Sequence, residues 1–140
     1  MENSKKIRVF LVDDDALFIK SLEIDFLQHT EYAIETFASG ELCVDYLSHS
    51  PDLVILDYLL DGINKNAMNG IETLDRIKLF NAHIPVLMLS SQDKIEIAIE
   101  CMRHKAYDYI VKGETTFMYL QRKIGKLFNF KEIEKDLNWF

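Results

Sequence analysis

Five short apolar runs, each followed by a helix-length stretch, constrain this chain more than any other feature. The runs are Ile7 to Val12, Tyr32 to Phe37, Leu53 to Leu56, Pro85 to Leu89 and Tyr107 to Val111. Helical patterns lie between and after them, at about 15–28, 40–48, 70–80, 92–104 and 115–128. A strand that rejoins its sheet after a helical crossover does so in parallel, and a parallel sheet needs helices on both faces. The expectation is an α/β fold: a flavodoxin-like, doubly wound, five-stranded parallel sheet of order 2-1-3-4-5.

Two local patterns bear on this reading. Asn69-Gly70-Ile71-Glu72 has the spacing of a capping box, which predicts that the third helix starts there. Residues 95–100, Ile-Glu-Ile-Ala-Ile-Glu, alternate like a strand and are rich in β-branched Ile. A strand already precedes them, so the crossover requirement makes them the fourth helix. That helix carries Ile95, Ala98, Ile99 and Met102 on one stripe and Ile97 and Cys101 elsewhere, more apolar surface than one face needs. Either a partner or homodimer contact lies there, or the helix is broadly buried.

Composition excludes several functions. A chain of 140 residues, 49% hydrophobic and 28% charged, fits one globular domain. Its 16 basic and 23 acidic residues leave a net charge of −7, which repels a phosphate backbone and argues against direct nucleic-acid binding. No apolar stretch approaches the roughly 20 residues of a membrane span, and Asp13, Asp14 and Asp15 end the first run too early for a signal peptide. No membrane association is expected, and the location is read as cytoplasmic. Cys43 and Cys101, without CxxC spacing, read as core residues.

In an open parallel sheet the ligand site lies beyond the carboxyl ends of the strands, where strand order reverses. Asp13, Asp14 and Asp15 follow the first run, Asp57 the third, Ser90 and Ser91 the fourth, and Lys112 and Gly113 the fifth. Strands one and three are neighbours roughly 4.8 Å apart in this order, so Asp13 or Asp14 should lie beside Asp57. Two carboxylates roughly 5 Å apart repel by about 3 kcal/mol at an effective dielectric near 20. Converging acids therefore need a cation or raised pKa values, and Mg²⁺ suits an oxygen-lined site that also takes phosphate. Taken singly, Asp13–Asp15 read as a turn and helix cap, Ser90 as a cap, and Asp57 and Lys112 as solvated loop charges. Their meeting at one sheet edge is what carries the functional reading.

A carboxylate beside Mg²⁺ can act as a nucleophile toward phosphorus, with a lysine and a hydroxyl binding the remaining oxygens. Asp57, Lys112 and Ser90 supply those groups; Asp13 and Asp14 would hold the metal with Asp57, and the Leu59 carbonyl is a further candidate ligand. In the segments IRVFLVDDD, PDLVILDYLL, IPVLMLSS and AYDYIVKG, in this order, the chain resembles the receiver domains of bacterial-type two-component response regulators. The resemblance runs over about residues 6–127. It implies Asp57 as phosphoacceptor, Asp13 and Asp14 as the acidic pair, Ser90 and Tyr109 as switch residues, and Lys112 as the site lysine. It also implies a phosphohistidine donor, on a sensor histidine kinase or a histidine phosphotransfer protein. Output would pass through the fourth helix, fifth strand and fifth helix to an effector or a second copy. The chain is then a signalling phosphoacceptor and not an enzyme, assisting only its own phosphorylation and dephosphorylation. Leu59 and Gln92 would flank the hydrolytic water.

Some positions depart from the family pattern. Residues 58–69 make a long connection after Asp57, expected to flank the site and alter partner access, with Lys65 read as solvated. Gly113 stands where the family commonly has proline, so the Lys112–Gly113 peptide is expected to be trans. Lys105 stands where the family often has glycine, so a left-handed helix cap there would be strained. The receiver domain is read as residues 1–128. Residues 129–140, with Phe130, Ile133, Leu137 and Phe140, read as a helical or tail extension that could start a linker to an absent output domain. Two rivals are an interaction module that is never phosphorylated and a haloacid dehalogenase-like phosphatase. The latter would use the D-x-D spacing of Asp13 and Asp15 with Ser90 and Lys112, and would leave Asp57 without a role.

Overall fold

The computed structural model describes residues 6–137, with side chains through residue 128. Its elements are β1 (Arg8–Val12), α1 (Ala16–His29), β2 (Ala33–Phe37), α2 (Gly40–Asp45), β3 (Leu53–Asp57), α3 (Gly70–Phe80), β4 (Val86–Ser90), α4 (Ile95–Arg103), β5 (Asp108–Val111) and α5 (Thr116–Leu137). The strands form one parallel sheet in the order β2-β1-β3-β4-β5. This is the doubly wound architecture that the alternation of patterns predicts.

Strand alternation divides the core into two layers. Phe10, Val12, Val54, Leu56, Val86 and Met88 project to one face, with the inner sides of α2, α3 and α4. Val9, Leu11, Leu53, Ile55, Leu87 and Leu89 project to the other, against Leu22 and Phe26 of α1 and Leu120 and Ile124 of α5. β3 and β4 are buried at every position, as central parallel strands covered on both faces must be. Burying such side chains stabilises by about 1.5–3 kcal/mol each, which fixes the register wherever the periodicity is strict.

The helix starts follow local chemistry. Asp15 accepts from the Leu17 and Phe18 amides at 3.1 Å and caps α1, and Ser39 caps α2 through the Leu42 amide. At α3 both halves of the predicted capping box are present, Glu72 N–H to Asn69 Oδ1 at 2.8 Å and Asn69 N–H to Glu72 Oε1 at 2.9 Å. α4 has no side-chain cap at Lys94 and starts at Ile95, three residues later than the pattern suggests. The second predicted helix is shorter too, ending in a 3-10 turn at Leu47–His49 that Ser50 closes in the left-handed region.

α4 buries Ile97 and Cys101, whereas Ile95, Ile99 and Met102 of the longer apolar stripe are exposed. The broadly buried alternative is thereby excluded. At the end of α4 the Lys105 and Ala106 amides bond back to Met102 and Cys101 carbonyls, a Schellman pattern, and Lys105 carries φ = 78°. The expected strain is therefore present. The Lys112–Gly113 peptide is trans. α5 runs on to Leu137, past the predicted end near 128; the side chains of Phe130, Ile133, Leu137 and Phe140 lie outside the described residues. No described helix is long and apolar enough to cross a membrane.

Candidate functional site

The register of the central strands assembles the polar residues. Val12 pairs with Leu56, so Asp13 and Asp57 leave the sheet side by side. Asp57 pairs with Leu89, which places Ser90 one step beyond it, and Ser90 pairs with Val111, which is followed by Lys112. Carboxylate oxygens of Asp13, Asp14 and Asp57 all lie within 4.8 Å of one another. Asp13 and Asp57 are buried and Asp14 half-buried.

Lys112 reaches into this cluster. Its Nζ lies 2.7 Å from Asp13 Oδ2 and 3.3 Å from Asp57 Oδ1. The Phe18 ring centroid is 4.4 Å from the ammonium, a cation–π contact that sequence reading did not anticipate. Burial alone would lower the Lys112 pKa, but Asp13 and Asp57 outweigh it and hold the ammonium above the ordinary lysine range. Asp57 moves the other way: burial first, then the Asp13 charge, push it up to about 7 against the opposing pull of Lys112. One ammonium thus does not neutralise the cluster.

The donor set fits a hard divalent cation. Asp13 Oδ1 accepts the Asp15 amide at 2.9 Å. Asp13 Oδ2 is buried, and the Lys112 ammonium, which it shares with Asp57, is its partner at 2.7 Å. Three converging carboxylates that share a single ammonium are chemistry that an oxygen-seeking ion completes. Asp15 is not part of the group, because its carboxylate is spent on the α1 cap. The D-x-D alternative loses its second acid for that reason.

Gln92 links the two expected switch residues through its backbone. Its N–H donates to Ser90 Oγ at 3.0 Å, and its carbonyl accepts from the Tyr109 hydroxyl. Ser90 is buried, Tyr109 half-buried, and Leu59 exposes about half of its side chain two residues beyond Asp57. Lys65 is exposed on the loop, so the cation that meets the acids is Lys112. Sequence reading also missed the role of Gly70. A Cβ there would come within 2.5 Å of the Asp57 and Tyr58 carbonyl oxygens, so this glycine permits the close approach of α3 to the Asp57 backbone. The loop itself is tied down by Met68 N–H to Glu41 Oε2 at 2.8 Å, and a cavity of about 420 Å³ opens between it and Asp14.

The chain is similar in sequence and fold to known proteins. The protein-glutamate methylesterase/protein-glutamine glutaminase of Clostridium acetobutylicum is 34% identical over 118 residues, 81% of this chain and 32% of that protein. The nitrogen assimilation regulatory protein NtrX of Azorhizobium caulinodans is 34% identical over 73% of this chain and 22% of its own length. The chain spans about a quarter of the length of the curated relatives it matches. Among solved structures, that of the CheX-CheY-BeF3-Mg+2 complex from Borrelia burgdorferi matches with a TM-score of 0.76 and 26% identity, covering 87% of this chain and 89% of that one. A CheY-like receiver domain protein from Methanospirillum hungatei shares the fold at TM-score 0.78 and 21% identity, over 93% and 99% of the two chains. The profile of the response regulator receiver domain matches residues 9–121, and the chain belongs to that family.

Proposed function

We propose that this chain is the phosphoacceptor of a two-component system, taking a phosphoryl group from phosphohistidine onto Asp57 with Mg²⁺. The observation that carries the reading is the meeting of Asp13, Asp14 and Asp57 with Lys112 at the carboxyl edge of the sheet. Asp13, Asp14 and Asp57, with the Leu59 carbonyl, are the residues to hold the cation. When bound, a divalent ion would supply positive charge to offset these carboxylates and the incoming phosphoryl oxygens. Asp57 must be ionised to act, and its raised pKa makes cation binding and ionisation mutually favourable.

On transfer, an Asp57 carboxylate oxygen bonds to phosphorus as the phosphorus–nitrogen bond of the donor imidazole breaks. The electron pair leaves with the imidazole, and an acyl phosphate remains on Asp57. Lys112 stays protonated and is free to move from Asp57 Oδ1 toward the new oxygens while keeping Asp13. For Ser90 Oγ to meet a phosphoryl oxygen it must turn from the Gln92 amide, and the Gln92 carbonyl then carries that movement to the Tyr109 hydroxyl. Leu59 and Gln92 flank the direction from which a hydrolytic water must come. The donor would be a sensor histidine kinase or a histidine phosphotransfer protein. The exposed Ile95, Ile99 and Met102 on α4, with Tyr107 beside β5 and Tyr119 on α5, form the face offered to an effector or a second copy.

Incubation with Mg²⁺ and acetyl phosphate, followed by intact mass, tests the reading. A phosphoryl adduct on the natural chain that is lost in Asp57→Asn supports it. Label lost only in Asp13→Asn would indicate the phosphatase instead, and no adduct in any condition would indicate an unphosphorylated interaction module. Light scattering before and after labelling tests the dimer, which a monomer in both states would exclude.

A further inference from the structure

Tyr58 follows Asp57 directly, and its hydroxyl donates to Glu100 Oε1 of α4 at 2.8 Å, across 42 positions of sequence. The backbone of the same residue is held on both sides. Its N–H donates to the Leu89 carbonyl at 2.7 Å, and its carbonyl accepts the Gly70 N–H at 3.1 Å. Gly70 presses so closely on the Asp57 and Tyr58 backbone that even a methyl group would not fit. A displacement of the Asp57 backbone is therefore transmitted to the Tyr58 ring and cannot be absorbed between them.

The Glu100 end is far less restrained. α4 lacks a side-chain cap at Lys94 and buries only Ile97 and Cys101. A cleft of about 320 Å³ lined by Tyr58, Asn69, Ile71, Glu72 and Glu100 lies beside the bond, which joins a half-buried Glu100 to the tyrosine hydroxyl. The Tyr58 hydroxyl is the donor of this bond and the Glu100 carboxylate its acceptor. The other polar tethers of this region, Tyr109 to the Gln92 carbonyl and His104 Nδ1 to Asp75 Oδ1 at 2.8 Å, do not involve the strand that carries Asp57.

We infer that Tyr58 is a positioning residue of the switch, its bond to Glu100 coupling the Asp57 segment to α4 by a route separate from Ser90 and Tyr109. The inference rests on the proposed phosphoacceptor role of Asp57. The bond favours whichever geometry of α4 forms it, so removing it shifts the balance between the two states of the switch.

Full-chain Tyr58→Phe keeps the ring and removes the bond; Glu100→Ala removes the acceptor, and Glu100→Gln retains one. Hydrogen exchange without phosphate reads the restraint. A hydrogen bond to a charged group, partly screened here, corresponds to about fivefold, so protection of α4 amides should fall by that factor in Tyr58→Phe and Glu100→Ala and remain in Glu100→Gln. Titration with fluoroberyllate and Mg²⁺, a phosphoryl mimic, reads the coupling, and the half-saturation concentration should shift by about threefold, in the same direction, in the same two variants. Their combination should add nothing to either alone. Binding by the natural chain with unchanged midpoints or unchanged α4 protection in Tyr58→Phe would overturn the inference. Failure of the natural chain itself to bind fluoroberyllate would overturn the phosphoacceptor reading with it.

Discussion

Replacing Asp57 by Asn should stabilise the metal-free protein at alkaline pH, although it removes the residue on which the proposed function depends. In the folded chain Asp57 titrates at about 7 against an ordinary 3.8. A raised carboxyl pKa means that the folded state holds its proton more tightly than the unfolded one. Stability from this group is thus complete below about pH 4 and declines as pH rises through 7. At 1.36 kcal/mol per pH unit the penalty at pH 8 is about 4 kcal/mol, with the attraction of Lys112 already included. The Asp57→Asn variant would escape it, and burying an incompletely bonded amide returns about 2 kcal/mol. The net gain is about 2 kcal/mol, or roughly 6 °C in Tm for a chain of this size. At pH 5.5 the penalty halves to about 2 kcal/mol, so the advantage should nearly vanish. Thermal unfolding of both proteins with a chelator at pH 8 and pH 5.5 measures this, and added Mg²⁺ should raise the natural chain more than the variant. A variant less stable than the natural chain at pH 8, or an advantage independent of pH, would refute the electrostatic account.

Other consequences concern the cation, the backbone and the helix cap. Mg²⁺ affinity, measured by calorimetry, should weaken about 25-fold from pH 7.5 to 5.5 as Asp57 takes up its proton, and a flat profile would contradict the assignment. Gly70→Ala should cost about 2–3 kcal/mol in urea unfolding and impair phosphorylation, because the new methyl group meets the Asp57 carbonyl. Lys105→Gly should raise stability by about 1 kcal/mol by relieving the left-handed backbone at φ = 78°, with phosphorylation unchanged.

The sheet was legible because the two central strands β3 and β4 are apolar until their last residue, where Asp57 and Ser90 stand. β3 shows this most plainly: Leu53 to Leu56 are buried, and Asp57 is the first charge. The same logic placed Asp13, Ser90 and Lys112 at one edge, since register carries each to its neighbour once strand order is known. α4 was legible as a helix only through topology. Its two apolar stripes left the inner face undecided until packing chose Ile97 and Cys101. Contacts distant in sequence left no local trace: Phe18 under Lys112, Tyr58 on Glu100 and Gly70 against Asp57 depend on how finished elements meet. The long connection after Asp57 was visible as a length, but its anchor on Glu41 was not.

The most direct test of the central claim is to locate the phosphoryl group. After treatment with Mg²⁺ and a phosphohistidine-bearing donor, borohydride reduction of the acyl phosphate and peptide mass analysis should place the reduced residue at Asp57, with Asp13 and Asp14 unmodified. Reduction at Asp13 or Asp14, or labelling that persists in Asp57→Asn, would contradict the account.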